Sequence, residues 1–195
     1  IKPIALVGGT VVCAVGFLLF IPLTTELIYQ TESWQSYAVP ILLYLIVGGS
    51  LVITNRNVEL KISIKEAFII TVLSWILLAI LCAIPFIYTQ LKLSVIDAIF
   101  ESMSGITTTG ATILNNIDDL PKGILIWRAL LQWLGGIGIV VIALVILPFL
   151  RIGGMQLFHL EGNDPYDKFL PKISSVVTKI IFVYSGLTAL LVLLY

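Results

Sequence analysis

Five runs of apolar residues, each long enough to cross a lipid bilayer as a helix, determine what this chain can fold into. Backbone N–H and C=O groups find no water in hydrocarbon, so a spanning segment must pair them internally. Hydrophobic residues make up 59% of the chain and charged residues only 11%, whereas soluble domains carry about 25% charged residues. The sequence therefore predicts an all-α polytopic membrane protein, with spans at residues 4–23, 37–53, 67–88, 121–150 and 173–195.

A shorter and more polar stretch, residues 94–111, lies between the third and fourth runs. Its first part predicts a helix of about ten residues, about 15 Å long, which is half of a ~30 Å hydrocarbon core. Ser94 is placed to cap this helix, with Asp97 as the acidic member of a capping box. We expect the helix to stop at Ser104 and Gly105. The three β-branched threonines that follow favour an extended backbone.

An extended backbone at membrane depth must line water or bind an ion. The stretch therefore predicts a half-helix that aims its partially negative C-terminal end at a cation, followed by a carbonyl-lined filter strand. Within 106–111 only Gly110 can take a positive φ without strain. The alternative is a tight turn whose hydroxyls cap the helix. The candidate filter residues are Thr107, Thr108, Thr109 and Gly110.

Residues 102–114, SMSGITTTGATIL, resemble the first pore loop of the Trk/Ktr/HKT superfamily of potassium transporters, and particularly of its bacterial TrkH-type membrane subunits. The resemblance implies potassium uptake at the plasma membrane, with K+ bound by the backbone of Thr108, Thr109 and Gly110. It implies no cofactor besides the transported ion. Three further stretches support it: DLPKGILIWRALLQWLGGIGIVVIALVILP (119–148), RIGGMQLFHLEG (151–162) and LPKI (170–173).

The family pattern also implies how the chain is divided. Trk-type subunits carry four helix–pore loop–helix units in one polypeptide, preceded by an extra helix pair. By this pattern 1–65 is the extra pair, 66–150 the first unit, 151–172 a cytoplasmic linker and 173–195 the first helix of a second unit. One loop cannot close a ring of carbonyls, and the chain ends within an apolar run, so we expect a fragment of a longer protein. The implied partners are a second copy of the full-length chain and a TrkA-like cytosolic nucleotide-binding regulatory ring, with no nucleic acid.

Residues around the loop are candidates to support it. Asp97 is expected to cap the helix rather than to bind the ion, whereas Glu101 could support the loop or face the vestibule. Arg128 could pair with Asp118, Asp119 or Glu101, or extend to the interface without a specific partner. The last support candidate is Gln132. It lies close to Gly135, Gly136 and Gly138, and small residues let helices approach closely. We expect the short helix to be the neighbour of this group.

Lysine and arginine positions predict the orientation of the chain. Three of them, Arg56, Lys61 and Lys65, follow the second span, and Arg151, Lys168 and Lys172 follow the fourth, whereas the turn after the first span has none. The positive-inside rule places the segments after the second and fourth spans in the cytoplasm, so the loop at 94–111 enters from outside. Lys179, inside the fifth run, should face protein or reach an interface.

An intramembrane enzyme is disfavoured because the sequence has no HExxH motif, no nucleophile elbow and only one histidine. A sodium-permeable Ktr/HKT-like transporter and a non-conducting remnant of a transporter remain as alternatives.

Overall fold

The computed structural model describes residues 2–57, 64–91, 93–146 and 165–194. Within them the chain forms seven α-helices and no β-strand. Five segments are long and apolar enough to cross a membrane: Lys2–Ile28, Gln35–Asn55, Lys65–Tyr88, Lys122–Ala143 and Ser175–Leu194. This confirms the all-α polytopic prediction. The helices are α1 (Lys2–Leu18), α2 (Phe20–Ile28), α3 (Gln35–Asn55), α4 (Ile64–Tyr88), α5 (Val95–Ile106), α6 (Lys122–Ile146) and α7 (Pro165–Leu194).

The first span is longer than the sequence suggested. We expected it to end near Leu23, with a polar turn from Thr24, but residues 24–28 are helical and belong to α2. The break between α1 and α2 falls at Leu19, three residues before Pro22, which has no N–H for the helical bond to the preceding turn. Thr24 and Thr25 both donate their hydroxyls to the carbonyl of Ile21, at 2.8 and 3.0 Å. Because the helix satisfies these polar groups itself, the prediction of a turn there is wrong.

Small residues bring α1 and α3 close together. A Cβ added to Gly48 would lie 2.8 Å from the backbone nitrogen of Cys13 and 2.8 Å from the carbonyl oxygen of Gly9. Any larger side chain would push the two helices apart. The first two spans are thus a closely packed pair, as small residues permit in membranes.

The proline in α4 frees one backbone carbonyl, and two other helices bond to this turn of α4. Pro85 has no N–H to give to the carbonyl of Leu81, four residues earlier. The hydroxyl of Tyr44 on α3 donates to that carbonyl at 2.8 Å. The indole Nε1 of Trp127 on α6 donates to the next carbonyl, that of Cys82, at 3.0 Å. Through these two bonds α3 and α6 are both fixed to the same turn of α4.

The chain divides into two compact units, Ile1–Trp133 and Leu134–Tyr195. The second contains the end of α6 and α7, a helix of 30 residues on which Lys179 is exposed. Helix α7 begins at Pro165, within the range expected to be a cytoplasmic linker. Residues 151–164, including His159 and Arg151, lie outside the described residues, so the division of the chain into domains stays a prediction.

Candidate functional site

The short helix α5 starts with the cap that the sequence predicted. The backbone N–H of Asp97 donates to Oγ of Ser94 at 3.2 Å, and that hydroxyl donates to Oδ2 of Asp97 at 2.7 Å. The helix covers Val95–Ile106, twelve residues, and packs against α4. At 1.5 Å per residue it is about 18 Å long, too short to cross a ~30 Å hydrocarbon core.

The end of α5 is closed by backbone bonds rather than by an immediate extended strand. The N–H of Thr108 donates to the carbonyl of Gly105 and that of Thr109 to the carbonyl of Ser104, both at 3.0 Å. This is the pattern of a Schellman motif, whose turning residue is usually glycine. Here it is Thr108, with φ +57°. The expectation of an extended backbone is therefore wrong at Thr107 and Thr108, which form a turn, and the non-helical segment begins at Thr109.

A second positive φ occurs two residues after Thr108, at Gly110. Gly110 has φ +78°, the backbone conformation for which the sequence singled it out. Thr109, between the two, is not among the residues of positive φ. Successive carbonyls of an ordinary extended chain point to opposite sides. A positive φ at two positions breaks this alternation at Thr108 and Gly110.

The carbonyls of this segment are available to a ligand. Within the described residues no N–H or hydroxyl donates to the carbonyls of Thr108, Thr109 or Gly110. These residues are exposed in the chain, and no donor of the described residues occupies their three oxygens. Such oxygens are the ligands by which a filter replaces the hydration shell of an alkali cation.

Two serine and threonine hydroxyls hold the segment against α5. Ser104 donates its hydroxyl to the carbonyl of Ala111 at 2.6 Å. Thr107 donates its hydroxyl to the carbonyl of Met103 at 2.8 Å, and its oxygen lies 2.8 Å from the hydroxyl oxygen of Thr109. The hydroxyls of Thr107 and Thr109 thus bond to α5 and to each other, whereas the carbonyls of Thr108, Thr109 and Gly110 accept no bond within the described residues.

A buried carboxylate supports the far end of the segment. Glu101 on α5 is 2% exposed. It accepts hydrogen bonds from the hydroxyl of Thr112, at 3.0 and 3.1 Å, and from the N–H of Ile113, at 3.2 Å. Nε of Arg128 on α6 lies 2.6 Å from its Oε1. The sequence had left the role of Glu101 and the partner of Arg128 open, and the structure brings these two side chains together.

The helix that carries Glu101 also touches α6 directly. A Cβ added to Gly105 would lie 3.1 Å from Cβ of Leu131. The close approach of α5 and α6 in the first unit therefore uses a glycine of α5. The role expected of Gly135, Gly136 and Gly138 in close packing stays a prediction.

Comparison with known proteins assigns the chain to a family. Residues 34–195 match the family model of TrkH, described as a cation transport protein. The chain belongs to the TrkH family. The Trk system potassium uptake protein TrkH of Escherichia coli K12 is 37% identical over 190 residues, which are 96% of this chain and 39% of that protein. The Trk system potassium uptake protein TrkI of Halomonas elongata is 34% identical over 193 residues, 99% of this chain and 39% of that protein.

A solved TrkH structure has the same fold. The crystal structure of the potassium transporter TrkH from Vibrio parahaemolyticus matches with a TM-score of 0.81 and 31% identity, over 96% of this chain and 37% of that chain. The chain thus spans about two fifths of the length of the relatives it matches. The TrkH family is a family of transporters, not of enzymes. This chain belongs to that family and has five apolar spans, and it is therefore a multi-pass plasma membrane protein.

Two other predicted residues of this TrkH-family chain, Gln132 and Asp119, take no part in the hydrogen bonds that join α5, the non-helical segment and α6. Gln132 is exposed one turn after Arg128, and its side chain makes no hydrogen bond within the described residues. Asp119 is exposed on a short 3-10 helix, Ile117–Asp119, and does not pair with Arg128. A support role for Gln132 stays a prediction.

Sequence reasoning missed Ser104 and Thr112, whose hydroxyls tie the adjacent residues Ala111 and Thr112 of the non-helical segment to α5. A hydroxyl in the last turn of the helix and another two residues after Gly110 were the available signal. Small polar side chains beside an irregular backbone commonly bond to it. The described residues contain no group of three His, Cys, Asp or Glu side chains able to hold a metal ion.

Proposed function

We propose that the intact protein takes up potassium across the plasma membrane, and that Thr107 to Gly110 form one part of a carbonyl-lined filter. The printed names of the TrkH and TrkI relatives as potassium uptake proteins support the choice of ion. K+ bound to the backbone oxygens of Thr108, Thr109 and Gly110 is the transported ion rather than a resident cofactor. Asp97 would fix the start of the short helix, while Glu101 and Arg128 would fix the loop.

One observation carries the proposal: positive φ at Thr108 and Gly110, beside three successive carbonyls without a hydrogen-bond donor. A β-branched residue in the left-handed region is a backbone outlier. Such strain costs about 1–3 kcal/mol and persists where surrounding structure enforces it, often at functional sites. An ion left bare in hydrocarbon costs tens of kcal/mol, so oxygens fixed in advance are what a filter needs.

The rest of the pore comes from outside this loop. A ring of carbonyls needs several loops around one axis, and we propose that the other units of the full-length protein supply them. The α4–α5–α6 arrangement is then the first helix–pore loop–helix unit, with α1 to α3 as the extra helix pair. A second copy of the chain and a TrkA-like cytosolic regulatory ring would complete the assembly.

Rubidium uptake into cells that lack their own potassium transporters tests this function. The full-length protein should restore uptake and favour K+ over Na+, whereas residues 1–195 alone should restore none, because one loop cannot close a ring. Both proteins are quantified in the membrane fraction. Robust rubidium flux from 1–195 alone would mean that copies of this piece assemble around the pore. Equal uptake of Na+ and K+ by the full-length protein would favour the sodium-permeable alternative, and no uptake the non-conducting one.

A further inference from the structure

A carboxylate outside the loop is completely buried. Glu26 on α2 has 0% exposure. Its Oε1 accepts a hydrogen bond from the backbone N–H of Gly123 at 2.8 Å, and its Oε2 accepts one from the hydroxyl of Thr31. Within the described residues no lysine, arginine or histidine pairs with it. Burying a carboxylate is costly unless it is hydrogen-bonded, so the burial of Glu26 depends on these two bonds.

The contact is made at the first turn of α6. Gly123 is the second residue of that helix. In the first turn, backbone N–H groups lack helical partners and the helix dipole has its positive end. The next two N–H groups, of Ile124 and Leu125, both donate to the carbonyl of Pro121, at 3.0 and 3.2 Å. The N–H of Gly123 donates to Glu26, 97 residues earlier in the chain. The start of α6 is therefore capped by a side chain of the N-terminal helices.

There is no free space at this contact. A Cβ added to Gly123 would lie 2.6 Å from Cγ and 2.8 Å from Cδ of Glu26, and would overlap Oε1 as well. The carboxylate is pressed against the backbone of α6. Any change in its length or direction must move α6 or break the bond.

We propose that Glu26 is a positioning residue for the filter, which rests on the function proposed above. It fixes the start of α6, and Arg128 lies five residues further on the same helix, about 7.5 Å along its axis. Arg128 in turn bonds Glu101, and Glu101 bonds Thr112 and Ile113 beside the filter segment. The extra helix pair thereby helps to set the shape of the filter, which gives it a role beyond membrane insertion.

The test measures the K+/Na+ uptake ratio of the full-length protein, normalised to its amount in the membrane. Glu26→Ala removes the acceptor and should lower the ratio about three- to tenfold, which corresponds to about 0.7–1.4 kcal/mol at 25 °C. Glu26→Gln keeps an oxygen at the same reach and should retain most of the ratio. The matched control is Thr24→Val on the same helix, since the hydroxyl of Thr24 bonds only within α2; it should leave the ratio unchanged.

A double-mutant cycle separates positioning from a general loss of stability. If Glu26 acts through Arg128, then Glu26→Ala should lower the ratio less in an Arg128→Gln background than in the wild type, since coupled residues are non-additive. Independent, multiplying effects, or a wild-type ratio in Glu26→Ala, would overturn the proposal. If Glu26→Ala does not reach the membrane, Glu26→Asp replaces it: its shorter carboxylate cannot hold Gly123 in place, so a wild-type ratio there would also overturn the proposal. If Arg128→Gln itself leaves the ratio unchanged, the proposed filter support fails rather than the Glu26 contact alone.

Discussion

Nε of Arg128 on α6 lies 2.6 Å from Oε1 of Glu101 on α5, and the two side chains are 15% and 1% exposed. The pair joins the short helix to the long one beside it. Glu101 also holds the segment after Gly110 through Thr112 and Ile113. A single carboxylate thus ties together the three parts of the candidate site: α5, the non-helical segment and α6.

Breaking this pair should damage both stability and ion choice. Arg128→Gln leaves Glu101 buried without its cation, and removal of one partner from a buried pair costs about 3 kcal/mol. We expect a lower unfolding midpoint in detergent and a lower K+/Na+ uptake ratio. Arg128→Lys keeps the charge but not the planar guanidinium geometry, so it should lie between Gln and wild type. A wild-type ratio and midpoint in Arg128→Gln would show that the pair does not support the loop.

Replacing Thr108 with glycine should stabilise the protein. The left-handed conformation costs a residue with a Cβ about 1–2 kcal/mol, and glycine loses about 0.5–1 kcal/mol more in chain entropy. The free energy of unfolding should therefore rise by about 0.5–1 kcal/mol. Thr108→Val is the control: it removes the hydroxyl but keeps the branched Cβ and the strain. If Val stabilises as much as Gly, the hydroxyl and not the backbone determines the effect.

The sequence was sufficient to find the five spans, though not the end of the first, and to predict the cap of α5, because these depend on local patterns. Apolar length identifies a membrane helix, and Ser94 lies three residues before Asp97. Thr108 could not be predicted in the same way, since its positive φ is imposed by the bonds of Thr108 and Thr109 to the end of the helix. Threonine alone would predict the opposite.

Long-range partners were likewise not readable from the sequence. Arg128 had three possible acidic partners, and only the packing of α5 against α6 selects Glu101. Glu26 falls in the stretch from Thr24 that the sequence predicted to be a polar turn. That the threonine hydroxyls bond within the helix, and that the carboxylate reaches Gly123, depend on how distant segments meet.

The hydrogen bond from Tyr44 to the carbonyl of Leu81 predicts that the effects of mutating Tyr44 and Pro85 depend on each other. Tyr44→Phe leaves the carbonyl of Leu81 without its donor, which should cost about 1–3 kcal/mol of unfolding free energy. In a Pro85→Ala background the alanine N–H can bond that carbonyl within α4. Tyr44→Phe should then cost clearly less, as thermal unfolding of the four proteins in detergent would measure. An equal cost in both backgrounds would mean that the tyrosine stabilises α4 in another way.

The orientation predicted from basic residues can be tested with reporter fusions. A fusion after Arg56 should report the cytoplasm and a fusion after Asp119 the outside, since lysine and arginine accumulate on the cytoplasmic side. Alkaline phosphatase, active only outside, and a fluorescent protein, active only inside, give opposite signals at each position. Reversed signals at both would place the loop on the cytoplasmic side and contradict uptake through a filter facing outward.

The central claim is that the backbone at Gly110 sets ion choice. A Cβ there meets no atom within 4 Å, and φ is +78°, so a side chain is disfavoured by the backbone and not by lack of space. Gly49 in α3 offers a matched control, because a Cβ there also meets no atom within 4 Å and its φ is not positive. Thr107→Ala serves as a second control, since it changes a side chain and leaves the backbone oxygen in place.

The decisive measurement is the K+/Na+ uptake ratio of Gly110→Ser, Gly49→Ser and Thr107→Ala in the full-length protein, normalised to the amount in the membrane. Gly110→Ser should shift the backbone of the segment and lower the ratio, with little loss of inserted protein. Gly49→Ser should keep the wild-type ratio, and Thr107→Ala should change it less than Gly110→Ser does. A wild-type ratio in Gly110→Ser would show that the threonine–glycine segment is only a turn and that the ion passes elsewhere.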